Sequence, residues 1–99
     1  MFVVIVSFKI EAIEDIKDKF IETAPMYQKT KGLLRKNYLV NKDNNTAGGV
    51  YVFDNEDNAR EWFDPERIEY LSARYSTPDI KYFESPVEVN NLNKEITIS

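Results

Sequence analysis

The sequence predicts one α+β domain with the element order βαββαβ, in which two helical segments cover one face of a four-stranded antiparallel sheet. Four short runs rich in β-branched and aromatic residues are typical of strands. Two intervening segments place apolar residues at helical spacing, and a length of 99 residues suits one domain. Because crossover connections are right-handed, both helices fall on the same face, which is the ferredoxin-like arrangement.

The first half of the chain supplies two strands and one helix. Residues 2–9 predict a strand that is apolar on both alternating faces, as in strands covered on both sides. From Ala12 the apolar period becomes helical. Pro25 predicts a break in this helix, followed by an irregular turn or a second short helix. Residues 33–42 predict the second strand, and the Asn- and Asp-rich residues 41–45 predict a turn.

The second half supplies the other two strands, with helical residues between them. Residues 46–53 predict the third strand and residues 80–84 the fourth, which Pro86 ends. Asp and Asn residues that can cap a helix mark two helix starts: Asp54 or Asn55, and Asp64 before Pro65. Residues 87–99 alternate weakly between apolar and polar, which suits an arm that orders against a partner.

The adjacent Gly48 and Gly49 open the third strand in a chain that has only three glycines. A bulge in the hairpin explains one of them. Close approach of another backbone or of a ligand explains the second, while the alternative is that both meet a purely conformational need. Gly49, Tyr51 and Phe53 then share one face of the strand.

Strands 1 and 3 are apolar on both faces, although the two helices can cover only one face of the sheet. The other face therefore needs a cover, and a second copy of the chain is the simplest one. The sequence predicts a homodimer.

Composition excludes several classes of function. The net charge of −4 and the isoelectric point near 4.8 argue against a nucleic-acid partner, which needs a basic face. The absence of cysteine excludes disulfides, thiolate nucleophiles and zinc–thiolate sites. The absence of histidine removes the usual general base and the usual haem and transition-metal ligand. The first ten residues are too short to span a membrane and lack signal-peptide features, so a cytoplasmic protein without a membrane partner is expected.

Three stretches carry a resemblance to a known family: residues 32–38 (GLLRKNY), residues 47–53 (AGGVYVF), and Ala59 with Trp62. With the predicted element order, they resemble the YdhR-like mono-oxygenases of the dimeric α+β-barrel superfamily of antibiotic-biosynthesis mono-oxygenases. The resemblance covers residues 1–93 as one domain and leaves residues 94–99 as a C-terminal tail. The chain departs from the family pattern in having Tyr38 where the family prefers tryptophan.

The resemblance implies two copies whose sheets meet face to face, with a cavity between sheet and helices in each. In better-understood relatives that cavity oxidises electron-rich aromatic substrates with O2 and without metal, flavin or haem. The resemblance thus implies a mono-oxygenase of a small aromatic or apolar molecule, with no cofactor and no metal.

Such chemistry needs a base, because deprotonation of the substrate makes it the electron donor. Without histidine, the base is a lysine, a carboxylate, a tyrosine or water. Lys36 is the first candidate, since burial lowers the pKa of an amine. Tyr38 shares its strand face and can donate a hydrogen bond to the anion. The alternatives are a lysine that reaches solvent or pairs with a carboxylate, and a tyrosine in the core or the dimer interface.

Four further residues are predicted to bind substrate: Gly49, Tyr51, Phe53 and Trp62. Core packing is the alternative for the aromatic ones. A non-catalytic protein that binds a small hydrophobic ligand on the same dimeric barrel is the main rival function. An RNA-recognition domain shares the βαββαβ order, but it lacks support because AGGV stands where that motif needs a basic and an aromatic residue. The missing histidine disfavours a haem-degrading relative.

Overall fold

A computed structural model describes residues 1–99. The elements in chain order are β1 (Phe2–Lys9), a short 3-10 turn (Ile13–Asp15), α1 (Ile16–Tyr27), β2 (Leu33–Asn41), β3 (Thr46–Phe53), α2 (Glu56–Trp62), α3 (Pro65–Arg74), β4 (Asp79–Glu84), β5 (Val87–Asn90) and β6 (Glu95–Ile98). Strands β1–β4 form one antiparallel sheet in the order β2-β3-β1-β4, while β5 and β6 form a separate hairpin. The predicted ferredoxin-like α+β fold is confirmed. None of the helices has the length and apolar character that a membrane span requires.

The core lies between the helices and one face of the sheet, called here the inner face. Alternate residues of β1 all point into it and are buried: Phe2, Val4, Val6 and Phe8. Aromatic residues of β3, apolar residues of the three helices and Phe63 just after α2 complete it, including Tyr51, Phe53, Phe20, Ala59 and Leu71. Phe53 is fully buried at the centre. These large side chains supply most of the apolar area that a chain of this size can bury.

Helix α1 continues through Pro25 and ends at Tyr27, so the predicted break at Pro25 is wrong. Pro25 lies in the last turn, where it removes only the bond to the Ile21 carbonyl. Ile21 is 60% exposed, so water can reach that part of the helix. The unbroken last turn carries Tyr27 into the core, where it is only 9% exposed.

Both helix starts that the sequence predicts are confirmed by their caps. The Asn55 side chain accepts a hydrogen bond from the Asn58 backbone N–H at 2.8 Å. The Asp64 side chain accepts one from the Arg67 backbone N–H, also at 2.8 Å. These bonds satisfy amide groups that have no partner within the helix, and they fix where α2 and α3 begin on the inner face.

Gly48 and Gly49 lie within β3 in continuous register with both neighbouring strands, so the predicted bulge at this point is wrong. The register irregularity lies instead between Leu33 and Arg35, and the left-handed residue of the turn is Asn45, with φ 53°. Close approach explains both glycines. A Cβ at Gly48 would overlap the Val6 carbonyl oxygen of β1, and a Cβ at Gly49 would lie 3.1 Å from Lys36 Cε.

The opposite, outer face of the sheet has a band of apolar residues that no helix covers. Register places six of them there: Val3, Ile5, Leu39, Val50, Val52 and Phe83. Ile5 is 38% exposed and Phe83 47% exposed. A contiguous apolar patch of this kind marks an interaction surface more often than a free one.

The hairpin of β5 and β6 adds a second exposed apolar surface that the sequence did not predict as a hairpin. Val87 pairs with Ile98 and Val89 with Ile96, which puts all four side chains on one face, more than half exposed. The end of the hairpin is held to the start of β1 by a hydrogen bond that the Met1 ammonium donates to Ser99 Oγ at 2.9 Å. An isolated two-stranded hairpin is only marginally stable in water, so contact with another surface would stabilise this one.

Candidate functional site

Four of the sequence-predicted site residues lie side by side on the inner face, near the β2 edge of the sheet. Lys36 is the register partner of Tyr51, and Tyr38 is the partner of Gly49. The alternation of β2 and β3 turns all four toward the helices. Gly49 leaves the space through which the Lys36 side chain passes.

The Lys36 amine is enclosed by the faces of three tyrosine rings. Its Nζ lies 3.3 Å from the ring centroid of Tyr27, 3.7 Å from that of Tyr38 and 4.5 Å from that of Tyr51. We call these three residues the tyrosine cage. Every ion pair of the chain involves other residues, so no carboxylate neutralises Lys36.

The surroundings of Lys36 favour the neutral amine. Burial lowers its pKa to about 6, and the Arg67 guanidinium acts in the same direction. The ring faces of the cage attract an ammonium and limit this fall. At neutral pH, therefore, a large fraction of Lys36 is an unprotonated amine that can accept a proton.

The cage tyrosines remain protonated at neutral pH. Burial raises the pKa of Tyr27 to about 12, and it raises the pKa of Tyr51 well above its usual value and that of Tyr38 above its usual range. Neutral phenols around the amine are hydrogen-bond donors that add no negative charge. The site thus combines one proton acceptor with several donors.

Tyr38 is fixed to α1 by its hydroxyl and its ring. The hydroxyl lies 2.7 Å from Thr23 Oγ1, and the ring stacks on Phe20 with centroids 4.3 Å apart. Thr23 has a single hydroxyl hydrogen, which it donates to the Phe20 carbonyl at 3.1 Å. Tyr38 is therefore the donor to Thr23 in this arrangement.

Lys36 and the tyrosine cage line a small cavity, whose free volume of about 10 Å³ suits roughly one water molecule. Outside it, helix α1 and strand β2 diverge to form what we call the α1–β2 cleft. The outer part of the cleft, about 700 Å³, is lined by Ile13, Glu14, Ile16, Lys17, Phe20, Ile21, Ala24, Tyr38, Val40 and Lys42. The inner part, about 430 Å³, is lined by Ala24, Tyr27, Gln28, Leu33, Leu34, Arg35, Lys36 and Tyr38.

Lys36, Tyr27 and Tyr38 border both the small cavity and the inner part of the cleft. They therefore stand between the two spaces. A small aromatic molecule fits the cleft but not the small cavity, whose volume is that of about one water molecule. The cleft is thus the part of the site that has room for such a molecule.

The other two predicted substrate-binding residues lie farther from the amine. Phe53 packs in the core next to Tyr51 and lines neither the cavity nor the cleft. Trp62 contacts the Tyr27 ring at 5.6 Å between centroids, and its buried Nε1 has no hydrogen-bond partner. Phe53 therefore packs against the Tyr51 ring of the tyrosine cage, and Trp62 packs against the Tyr27 ring.

Tyr27 is the residue that the sequence analysis missed. It lies beyond Pro25, where a helix break was expected, although its spacing of seven from Phe20 matches the buried stripe of α1. Arg67 was also missed, because it faces the Trp62 ring at 4.1 Å across a contact between α2 and α3 that no sequence pattern shows.

The structure brings together no group of three or more His, Cys, Asp or Glu side chains that could hold a metal ion. The charged groups at the tyrosine cage, Lys36 and Arg67, are basic, and the other polar groups there are phenol hydroxyls. The arrangement is suited to proton transfer and to stabilising an anion.

Comparison with known proteins places this geometry in context. A family model described as "Putative mono-oxygenase ydhR" matches residues 2–96. No match is found among curated protein sequences.

Several solved structures share the fold. SnoaB, described as a cofactor-independent oxygenase from Streptomyces nogalater, is 20% identical with a TM-score of 0.65, over 85% of this chain and 91% of that one. A "putative antibiotic biosynthesis monooxygenase" from Deinococcus radiodurans is 13% identical with a TM-score of 0.69, over 91% and 97% of the two chains. A point mutant of MhuD, solved with two manganese protoporphyrin IX bound per active site, is 15% identical with a TM-score of 0.71, over 92% and 100%.

Proposed function

Since the chain belongs to the ydhR mono-oxygenase family, whose model spans residues 2–96, we propose that it oxidises a small, electron-rich aromatic molecule with O2 and without a cofactor. The observation that carries this proposal is the unpaired Lys36 amine in the tyrosine cage, beside the α1–β2 cleft. It supplies the base that the reaction needs in a chain without histidine.

The first step is proton transfer. Ground-state O2 reacts poorly with closed-shell molecules, so the substrate must first become a strong electron donor. A phenol in the cleft gives its O–H proton to Lys36 Nζ, which yields a phenolate beside an ammonium. The faces of the tyrosine cage stabilise the ammonium, and the ammonium stabilises the phenolate.

The second step transfers electrons from the phenolate to O2. Recombination forms a bond between a ring carbon and one oxygen atom, and loss of the second oxygen as water leaves a quinone. The substrate supplies all four electrons, so the step requires no external reductant.

The site residues have distinct roles in this proposal. Lys36 is the base, and Tyr38 turns its hydroxyl from Thr23 to the substrate oxygen as the negative charge develops. Gly49 leaves room for the Lys36 side chain, and the Tyr51 ring forms one wall. Phe53 and Trp62 act on bound substrate through the cage rings they touch.

Oxygen consumption tests the proposal directly. Chelator-treated protein should consume O2 with a panel of dihydroxynaphthalenes and anthrones, and should release the corresponding quinones. With ¹⁸O2, one labelled atom should appear in the quinone and the other in water. Saturable binding of these compounds without oxygen consumption would favour the rival function, a non-catalytic carrier of small hydrophobic molecules. The small cavity and the Tyr38–Thr23 bond are also compatible with that rival.

We also propose that a second copy of the chain covers the outer face of the sheet. The Ile5→Glu variant should be monomeric at concentrations where the wild type is a dimer, with dissociation favoured by about 100-fold or more, because a buried unpaired carboxylate costs several kcal/mol. Native mass spectrometry and sedimentation velocity measure this. Ile21→Glu, on the exposed side of α1, is the matched control and should stay dimeric. A monomeric wild type would contradict the proposal.

A further inference from the structure

We infer that Lys36 is also a nucleophile, and that its amine forms an imine with an aldehyde group carried by a small aromatic molecule in the α1–β2 cleft. The amine nitrogen forms a double bond to the carbonyl carbon, and the carbonyl oxygen leaves as water with the two hydrogens of the neutral amine. The step is reversible and transfers no electrons, so it requires neither O2 nor a cofactor. It therefore goes beyond the proposed oxygenation, although it uses the same amine.

The first observation is that Lys36 is the one lysine of the chain that is not exposed to solvent. The 13 basic residues are four arginines and nine lysines, and the other eight lysines are all exposed. Water stabilises the ammonium form of an exposed lysine, and an ammonium has no lone pair with which to attack a carbonyl carbon. A lysine withdrawn from water is a recurrent source of a nucleophilic amine in proteins.

The second observation is the charge around the Lys36 amine. The titratable and charged groups around it come from four elements and are Tyr27 of α1, Tyr38 of β2, Tyr51 of β3 and Arg67 of α3. The tyrosines are neutral, and Arg67 disfavours a second cation nearby, an arrangement that activates lysines as nucleophiles. Burial lowers the pKa of Lys36 to about 6, and Arg67 adds to this fall. The free amine therefore predominates at neutral pH.

The third observation is that the tyrosine cage suits the protonated imine. An iminium spreads its positive charge over nitrogen and carbon and has fewer N–H groups than an ammonium. Like a guanidinium, it therefore loses less hydration than a compact ammonium does when it is buried. The ring faces of Tyr27 and Tyr38, whose centroids lie 3.3 Å and 3.7 Å from Nζ, attract such a cation. The cage thus stabilises the product of the step.

The fourth observation is that the cleft has room for the rest of the aldehyde. Lys36, Tyr27 and Tyr38 line its inner part, about 430 Å³, and Tyr38 also lines the mainly apolar outer part, about 700 Å³. Both volumes are in the range of small-molecule sites. The four-carbon stem of a lysine is flexible, and no side chain at Gly49 restricts the Lys36 Cε. The amine can therefore meet a carbonyl carbon at the boundary of the cleft.

Reductive trapping with 2-naphthaldehyde tests this inference. The full chain is incubated with a limiting amount of the aldehyde without O2, and sodium cyanoborohydride reduces each imine to a stable secondary amine. Tandem mass spectrometry then locates the labelled amines, and the Met1 amine is counted separately from the lysines. At about pH 7, Lys36 should be labelled about 10-fold or more faster than the average exposed lysine.

The pH dependence of this selectivity has a definite sign. Lys36 is already mainly neutral at about pH 7, whereas exposed lysines gain the neutral form as the pH rises further. The ratio of labelling at Lys36 to labelling at exposed lysines should therefore fall between about pH 7 and about pH 9. Because the ratio is measured within one sample, it does not depend on how the reductant responds to pH.

Controls locate the effect in the cleft. 2-Naphthalenemethanol has the same ring system without a carbonyl group, and at a concentration near its Kd it should slow labelling of Lys36 about 2-fold. It should not slow labelling of the exposed lysines. Lys36→Met should lose the fast labelling, and Lys31→Met, which removes an exposed lysine, should keep it. Even labelling of all lysines, or fast labelling that persists in Lys36→Met, would overturn the inference.

The two proposals can fail separately. Selective labelling of Lys36 in a protein that never consumes O2 would leave the nucleophile and remove the oxygenase. Turnover with O2 in a protein whose Lys36 is labelled no faster than the exposed lysines would do the reverse. Where both proposals hold, 2-naphthaldehyde should inhibit oxygen consumption, because formation of the imine removes the base.

Discussion

Replacing Lys36 with methionine is expected to lower kcat for oxygen-dependent turnover by about 10²- to 10⁴-fold, the usual contribution of a positioned general base. Methionine has nearly the length of lysine and suits the apolar surroundings, so the cage should keep its shape. Oxygen-electrode measurements with the best substrate among the dihydroxynaphthalenes and anthrones give the ratio of kcat in the wild type to kcat in Lys36→Met. Lys31→Met, which removes a lysine exposed to solvent, should keep wild-type turnover.

The pH dependence of the wild type should have a definite sign. A base acts when it is unprotonated, so kcat/KM should rise with pH through about 6, the pKa of Lys36 in the folded protein, and then level off. Turnover by Lys36→Met that is unchanged, or a wild-type profile that falls through this range, would exclude Lys36 as the base.

The same residue links stability to pH, which gives a second readout of its burial. Between about pH 6 and about pH 10, the folded chain binds fewer protons at Lys36 than the unfolded chain does, because the pKa of the unfolded lysine is about 10.4. The free energy of unfolding should therefore rise with pH, by at most about 1.4 kcal/mol per unit. Urea unfolding of Lys36→Met should show a two-state transition without this rise.

The Gly48→Ala substitution should have the largest effect on stability, lowering the free energy of unfolding by about 3 kcal/mol or more. The added Cβ would overlap the Val6 carbonyl oxygen, which is backbone of the central strand β1. Only a shift of β1 relative to β3 can relieve that overlap, and these strands carry the core. Urea unfolding measures the change, and soluble expression at reduced temperature provides material if the variant is marginal.

Gly49→Ala, one residue along the same strand, is the matched comparison. Its Cβ would lie 3.1 Å from Lys36 Cε, the end of a flexible side chain, and 3.2 Å from the Asn37 carbonyl oxygen. We expect a loss of about 1 kcal/mol, with an additional fall in turnover because the Lys36 amine is displaced in its cage. Equal losses of stability in the two variants would contradict the assignment of the two glycines to different neighbours.

The fold could be predicted from the sequence because its signals are local. The alternation of apolar and polar residues in the strands and the Asn and Asp caps of the helices each depend on a few neighbouring residues. The right-handedness of crossover connections then places the helices on one face of the sheet. The helix break predicted at Pro25 was wrong because a proline in the last turn removes a single solvent-accessible hydrogen bond rather than a buried one. The bulge predicted at the paired glycines was wrong because Gly48 is required by the Val6 backbone, which is distant in sequence.

The site could be predicted only in part. Strand alternation is enough to bring Lys36, Tyr38, Gly49 and Tyr51 to one face. The third ring of the cage comes from Tyr27 at the end of α1, and the angle at which that helix crosses the sheet depends on packing of the whole core. The hydroxyl of Thr23, which holds Tyr38, is likewise placed by that crossing.

The position of β2 at the edge of the sheet has a consequence for the handling of cleft variants. An edge strand offers unpaired backbone groups to which other chains can add, and charged side chains and bulges oppose such aggregation. The exposed Arg35 and the irregularity after Leu33 are features of this kind. A variant that neutralises Arg35 would therefore leave an edge that carries Leu39 and Val40 more prone to aggregation, so the strand that supplies the proposed base also helps to keep the protein dispersed.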